Sequence, residues 1–215
     1  MTEVVSIAED GAAAARSALE QAVAAGDVVV FPADGLYGLA CDPLNAGAIE
    51  RIQRAKVRGD RKPSAVLYFS PLAMRELIES LGPRTREAVG VLLPGAVTLV
   101  VANPEHRYPL ACREDPERLG VRLIEGPLSG AMCPIFQTSA NISGEPAPAT
   151  VGDVPQALLD AVDLVIDGGE LTGSPSTVVD LSALEYDGGD WGILRQGAMA
   201  AAEVEERMSR IRRPD

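Results

Sequence analysis

Lys56 and Arg58, two permanent cations two positions apart, are the residues of this chain best suited to chemistry on a polyanion. They follow a stretch that reads Phe31-Pro-Ala-Asp-Gly-Leu-Tyr-Gly-Leu-Ala40. Val28-Val29-Val30-Phe31 is short, apolar and β-branched, so it reads as a buried strand. It empties into a turn carrying Pro32, Gly35 and Gly38, and residues 46–54 then read as a helix that delivers the cations. Backbone amides beside a Lys and an Arg suit the phosphates of a nucleotide. The same pair would equally complement the dipole at a helix C-terminus, a use worth ~0.3–1 kcal/mol.

Further along, Thr138-Ser-Ala-Asn-Ile-Ser-Gly144 places small hydroxyls and an amide after a strand. Such groups fix a nucleotide by hydrogen bonds, and Gly144 allows a close backbone approach; an Asx- or Ser-stabilised turn is the other reading. Ser174-Pro-Ser-Thr177 runs into Val178-Val-Asp180 with the same chemistry. Arg122 and Arg195 lie within or at the ends of apolar strands, where a guanidinium is costly unless an anion meets it. A structural partner such as Asp180 would serve as well. The one histidine, His106, falls in a polar loop. No P-loop, Gly-x-Ser-x-Gly elbow, triad or metal-ligand cluster is written in the chain, so no metal site is expected. The chemistry is expected to be positioning and charge stabilisation.

The elements that must position these groups alternate between strand and helix. Helices are expected over 11–25 (after an Asp10-Gly11 cap), 46–54, 71–80, 84–92, 151–160 and 200–212. Strands are expected at 28–31, 65–69, 97–101, 121–123, 135–138, 164–166, 177–181 and 193–195, with loops at 57–63 and 103–118. Without repeats or a linker, the 215 residues read as a single α/β domain, 1–215, with a twisted mixed sheet, flanking helices and a core over about 15–200. Hydrophobic residues make up 47% and aromatics 4%, so the core is Val, Leu, Ile and Ala. The net charge of −12 opposes nucleic acid on average, which leaves weak RNA binding only to the local stretch Arg51, Arg54, Lys56, Arg58, Arg61 and Lys62. Three cysteines without metal spacing, no secretory start and no apolar run near ~20 residues point to a cytoplasmic protein without a membrane span.

In their order along the chain, these segments resemble the YrdC-like family of threonylcarbamoyl-adenylate synthases. The matching pieces are Phe31-Pro-Ala-Asp-Gly-Leu-Tyr-Gly-Leu39, Lys56-x-Arg58, Pro63, Leu93-Pro-Gly-Ala-Val-Thr-Leu99, Val121-Arg122, Ser139-Ala-Asn-Ile-Ser-Gly144, Ser176-Thr-Val-Val-Asp180 and Ile193-Leu-Arg-Gln-Gly197. The resemblance implies a large concave, positively lined cleft. It also implies a nucleotidyl transfer from ATP, with bicarbonate and L-threonine as co-substrates and Mg²⁺ riding on the nucleotide. The product would serve threonylcarbamoyladenosine formation in tRNA through separate partner proteins, as in the short, single-domain form. By the same resemblance Lys56 and Arg58 are catalytic and face phosphate, Ser139, Asn141, Ser143 and Arg195 bind nucleotide, and Arg122, Ser176, Asp34 and Tyr37 lie at the amino-acid substrate. The chain departs from the family's usual Thr-Asp/Glu-Thr at Ala33-Asp34-Gly35, and from its usual histidine at Leu67. Two alternatives follow: a divergent paralogue with another substrate for its carbamoyl or adenylyl chemistry, and a non-catalytic RNA-binding or ribosome-associated module.

Overall fold

Strand alternation decides which surface of this protein is core and which is cleft. A computed structural model describes residues 2–56 and 64–211. In chain order the elements are β1 Glu3–Ser6, α1 Ile7–Asp10, α2 Ala12–Ala25, β2 Val29–Pro32, β3 Tyr37–Cys41, α3 Ala46–Ala55, β4 Ala65–Tyr68, α4 Arg75–Ser80 and α5 Pro83–Leu92. Then come β5 Val97–Ala102, α6 Pro109–Cys112, β6 Arg118–Leu123, β7 Ile135–Ser139, α7 Gln156–Leu159, β8 Leu164–Asp167, β9 Thr177–Asp180, β10 Gly192–Arg195 and α8 Ala201–Met208. The strands form one sheet in the order β1-β8-β2-β3-β7-β4-β6-β5-β9-β10. It is mixed: β2–β3–β7–β4 run antiparallel, while β4–β6 and β5–β9 pair in parallel.

One face of the sheet is covered from β8 and β2 across to β9. Val28, Val30, Tyr37, Leu39, Val66, Leu99, Val121 and Val179 pack there against Ile49 and Ile52 of α3, Leu92 of α5 and Val204 of α8. On the opposite face Val29, Phe31, Ala40 and Leu67 meet Leu19 and Val23 of α2. Each such Val, Leu or Ile contributes ~1.5–3 kcal/mol by leaving water. That second cover stops short of the far half of the sheet. The alternate residues of β5, β6 and β9, namely Thr98, Val100, Arg118, Gly120, Arg122 and Val178, border an open cleft instead.

Several boundaries differ from the sequence reading, for identifiable reasons. Pro32, Gly35 and Gly38 read as one turn, but only 33–36 turns back; Tyr37–Cys41 pairs with both β2 and β7 as a central strand. Gly38 is tolerated there because Phe31, Gln137 and the Thr138 carbonyl crowd the place of its missing side chain. Glu3–Ser6 is an edge strand on β8, recruited by pairing rather than by composition. The 103–118 loop contains α6 and ends where β6 begins at Arg118. Gly11 precedes α2 at φ 87° with no side-chain cap, and the Asp10 carboxylate accepts instead from the Ser6 amide at 2.8 Å. The segment 71–80 is helical only from Arg75, 151–160 splits into a short 3₁₀ turn and α7, and the terminal helix is Ala201–Met208. Residues 57–63 lie outside the described residues.

The exposed segment after β8 returns to the cleft rim and is tied down by Tyr37. The phenol oxygen donates to the Gly169 carbonyl at 2.8 Å and accepts from the Gly168 amide at 2.9 Å, with Asp167 Oδ1 at 3.2 Å. Burial in this network pushes the Tyr37 hydroxyl up to about 12. Tyr37→Phe strands two backbone groups, so a loss of about 1–3 kcal/mol is expected in urea denaturation. An unchanged midpoint would show that water replaces the phenol at no cost.

Candidate active site

The cleft encloses about 540 Å³. Its floor is the uncovered face of β4, β6, β5 and β9, and its rim is built from Ser174–Ser176 and from β10. The register of β10 against β9 shifts between Ile193 and Arg195, so Leu194 and Arg195 both border the cleft.

Arg122 is the deepest charge. It is 5% exposed, and its hydrogen bonds are long: Nη1 and Nη2 to the Ala33 carbonyl at 3.5 Å, and Nη1 to Gln137 Oε1 at 3.4 Å. Asp34 Oδ2 stands 3.7 Å from Nη2, and the buried Nε has no partner among the described residues. Burial lowers the guanidinium to about 10, opposed by Asp34 and reinforced by the neighbouring Arg195. Arg195 is exposed and donates to the Ser176 carbonyl at 2.8 Å, while the Ser176 hydroxyl lies 2.9 Å from Thr98 Oγ1. Two guanidinium groups thus face one cavity with few anionic partners, an arrangement that fits a bound anion.

Lys56 sits at the C-terminus of α3, which Asn45 caps by accepting from the Ala48 amide at 3.0 Å. The lysine is 2% exposed; its ammonium donates to the Ser139 carbonyl and approaches Asn141 Oδ1 at 3.4 Å. The Ser139 hydroxyl donates to the same Asn141 oxygen at 2.5 Å, and Asn141 Nδ2 donates to the carbonyls of Ile142 and Glu145. The Ser-x-Asn turn and the lysine are therefore one connected unit, with Ser139 on the cleft wall.

Not every expected residue joins the cleft. Ser143 is exposed and does not border it. Tyr37 borders it, but its hydroxyl is spent on residues 167–169. Asp34, at φ 76°, lines a second cavity of about 220 Å³ and reaches the main one only through Arg122. Arg58 lies outside the described residues. Asp180 does not pair with Arg122 or Arg195: it meets Arg118 Nη1 at 3.4 Å, while Asp115 accepts from Arg118 Nε at 2.6 Å. The sequence reading missed Arg118, although the period-two spacing Arg118-x-Gly120-x-Arg122 marks it as sharing the face of Arg122. In the local basic stretch, Arg51 pairs with Asp163 at 2.9 Å and Arg54 with Glu50 at 2.6 Å. Among the described residues no group of three or more His, Cys, Asp or Glu could hold a metal ion, and no helix is long and apolar enough to cross a membrane.

A mixed α/β sheet whose open face is lined by arginines and strand-end hydroxyls defines an anion-binding, nucleotide-compatible class of protein. A family model described as Telomere recombination, the Sua5/YciO/YrdC family, matches residues 21–197, and the chain belongs to that family. It is 31% identical over 199 residues to the threonylcarbamoyl-AMP synthase of Pyrococcus abyssi, covering 87% of this chain and 55% of that protein. It is 32% identical over 160 residues to the threonylcarbamoyl-AMP synthase of Xanthomonas axonopodis pv. citri, covering 70% of this chain and 85% of that one. The fold matches P. abyssi Sua5 complexed with L-threonine at a TM-score of 0.80 and 27% identity, over 99% of this chain and 62% of that chain.

A buried cation with long bonds and an orphan Nε costs folding energy that a ligand would return. Arg122→Met is therefore expected to leave the unfolding midpoint unchanged or raise it, while removing affinity for a carboxylate ligand. A drop of several kcal/mol in the unfolding free energy would make the guanidinium structural instead.

Proposed function

We propose that this chain is an L-threonylcarbamoyladenylate synthase, acting as one α/β unit. The observation that carries this reading is the incompletely paired Arg122, set beside Arg195 on the open face of a Sua5/YciO/YrdC-family sheet. L-Threonine is its amino acid, ATP its nucleotide and bicarbonate its carbon source. A carbamate formed on the threonine amine attacks the α-phosphorus; the bond to the β-phosphate breaks, and pyrophosphate leaves with the bonding pair. Positioning and cations suffice for such a transfer, because charge develops on phosphate oxygens rather than on a proton-transferring side chain.

Arg122 is assigned to the threonine carboxylate, with Ser176 beside it. Arg195 is assigned to the phosphates, and the Lys56–Ser139–Asn141 unit to the nucleotide side, with Arg58 expected next to it along the chain. Mg²⁺ enters with the nucleotide. The product feeds threonylcarbamoyladenosine formation in tRNA through partner proteins, in a cytoplasmic setting that suits three free cysteines. RNA binding by the stretch 51–62 has less support, since Arg51 and Arg54 are neutralised by their own carboxylates.

The direct test is pyrophosphate release from ATP and bicarbonate, with L-threonine and with each other amino acid in turn. Release that requires both bicarbonate and threonine is expected. Release with a different amino acid would replace threonine by that substrate, and no release despite ATP binding would favour a binding module. Arg195→Ala is expected to weaken ATP by about tenfold, the loss of one charge-assisted hydrogen-bond donor, without affecting the fold. Unchanged ATP affinity would remove Arg195 from the phosphates.

A further inference from the structure

We propose that Gln137 is the residue that reads the side chain of the amino acid. This rests on the assignment of Arg122 to the substrate carboxylate. The turn 33–36 is unable to supply a hydroxyl. Ala33 offers a methyl and gives its carbonyl to Arg122. A side chain at Gly35 has no room, because its Cβ would fall 2.2 Å from the Ser174 carbonyl oxygen and 2.8 Å from Thr172 Oγ1. Leu67, in register with Arg122 on β4, is fully buried and apolar. The polar contacts around this guanidinium must come from elsewhere.

Gln137 on β7 is placed to provide them. It pairs with Ala40 of β3 and Ala65 of β4 and borders the cleft. Arg122 has only donors, so the Gln137 oxygen is the atom turned to Nη1, at 3.4 Å. The amide nitrogen is then left with two N–H groups and no hydrogen bond among the described residues. Gly38 makes room for it, since a Cβ there would sit 3.1 Å from Nε2. A substrate held by its carboxylate on Arg122 thus meets a neutral donor amide beside that anchor. A hydroxylated side chain satisfies the amide, whereas an isosteric methyl leaves it unpaired, and buried donors penalise that loss strongly.

The test is calorimetric binding of L-threonine and of L-valine, its near-isostere without the hydroxyl, to the full chain with a non-hydrolysable ATP analogue. Wild type is expected to prefer threonine. Gln137→Leu is expected to lose about tenfold or more of that preference, with threonine weakened and valine unchanged or improved. Equal weakening of both ligands would make Gln137 only a support for Arg122 and overturn the proposal, as would an unaltered preference. Gln137→Met replaces Gln137→Leu if the latter fails to fold. A wild type that releases pyrophosphate with threonine while its Gln137 variants keep the preference would remove this proposal alone. A wild type that neither binds nor turns over threonine would remove the synthase reading, and this proposal with it.

Discussion

The fold has to hold a guanidinium inside an otherwise apolar sheet, and the placement of the other cleft groups follows from how it does so. Arg122 leaves β6 in the middle of the molecule, is almost wholly removed from water, and among the described residues finds partners no closer than 3.4 Å. Two charged groups in good contact would offset much of their desolvation; one charge with long contacts does not. A site that is under-satisfied when empty gains most from a ligand that completes it.

Where that anion is received depends on an asymmetry of layers. Helices α3, α5 and α8 cover one face of the sheet, but α2 covers only the β2–β3–β4 half of the other. The period of two then does two jobs along a single strand. In β6, Leu119, Val121 and Leu123 anchor the core while Arg118, Gly120 and Arg122 form the cleft floor. The same alternation runs through β5, with Thr98 and Val100 toward the open face. Rigid strands hold the charged groups, which limits how far they can relax around a ligand and favours preorganisation.

Much of this was legible before any coordinates. The apolar run at 28–31, the helix over 46–54 after Asn45 and the strand at 97–101 carry strong local signals, and the structure places elements at each. The costly position of Arg122 was legible too, because an arginine between Val121 and Leu123 needs either an anion or a structural partner. What escaped depends on pairing rather than on local preference. Tyr37–Cys41 was hidden by glycines that serve close packing, and Glu3–Ser6 by the lack of any signal beyond edge pairing with β8. Lys56 reads as a helix-end cation suited to a phosphate or to the helix dipole, and it is buried and tied to the turn 139–141. Sequence spacing identifies such groups; it does not reveal whether their heads are already occupied.

Occupation is also what separates the arginines of the cleft. Arg118 is held by Asp115 and Asp180, which together outweigh its charge and raise its proton affinity. Among the described residues, Arg195 has only neutral oxygens of Ser176 on its guanidinium, and Arg122 has a single carboxylate at the edge of contact. Among the described residues, Arg122 and Arg195 therefore carry less counter-charge than Arg118. In a chain of net charge −12, the long-range potential does not draw a nucleotide in, since it is repulsive and is screened over about 8 Å at physiological salt. Selection for an anion must act at short range. The two cations without full counter-charges, brought together by β6 and by the bulge of β10, meet that requirement.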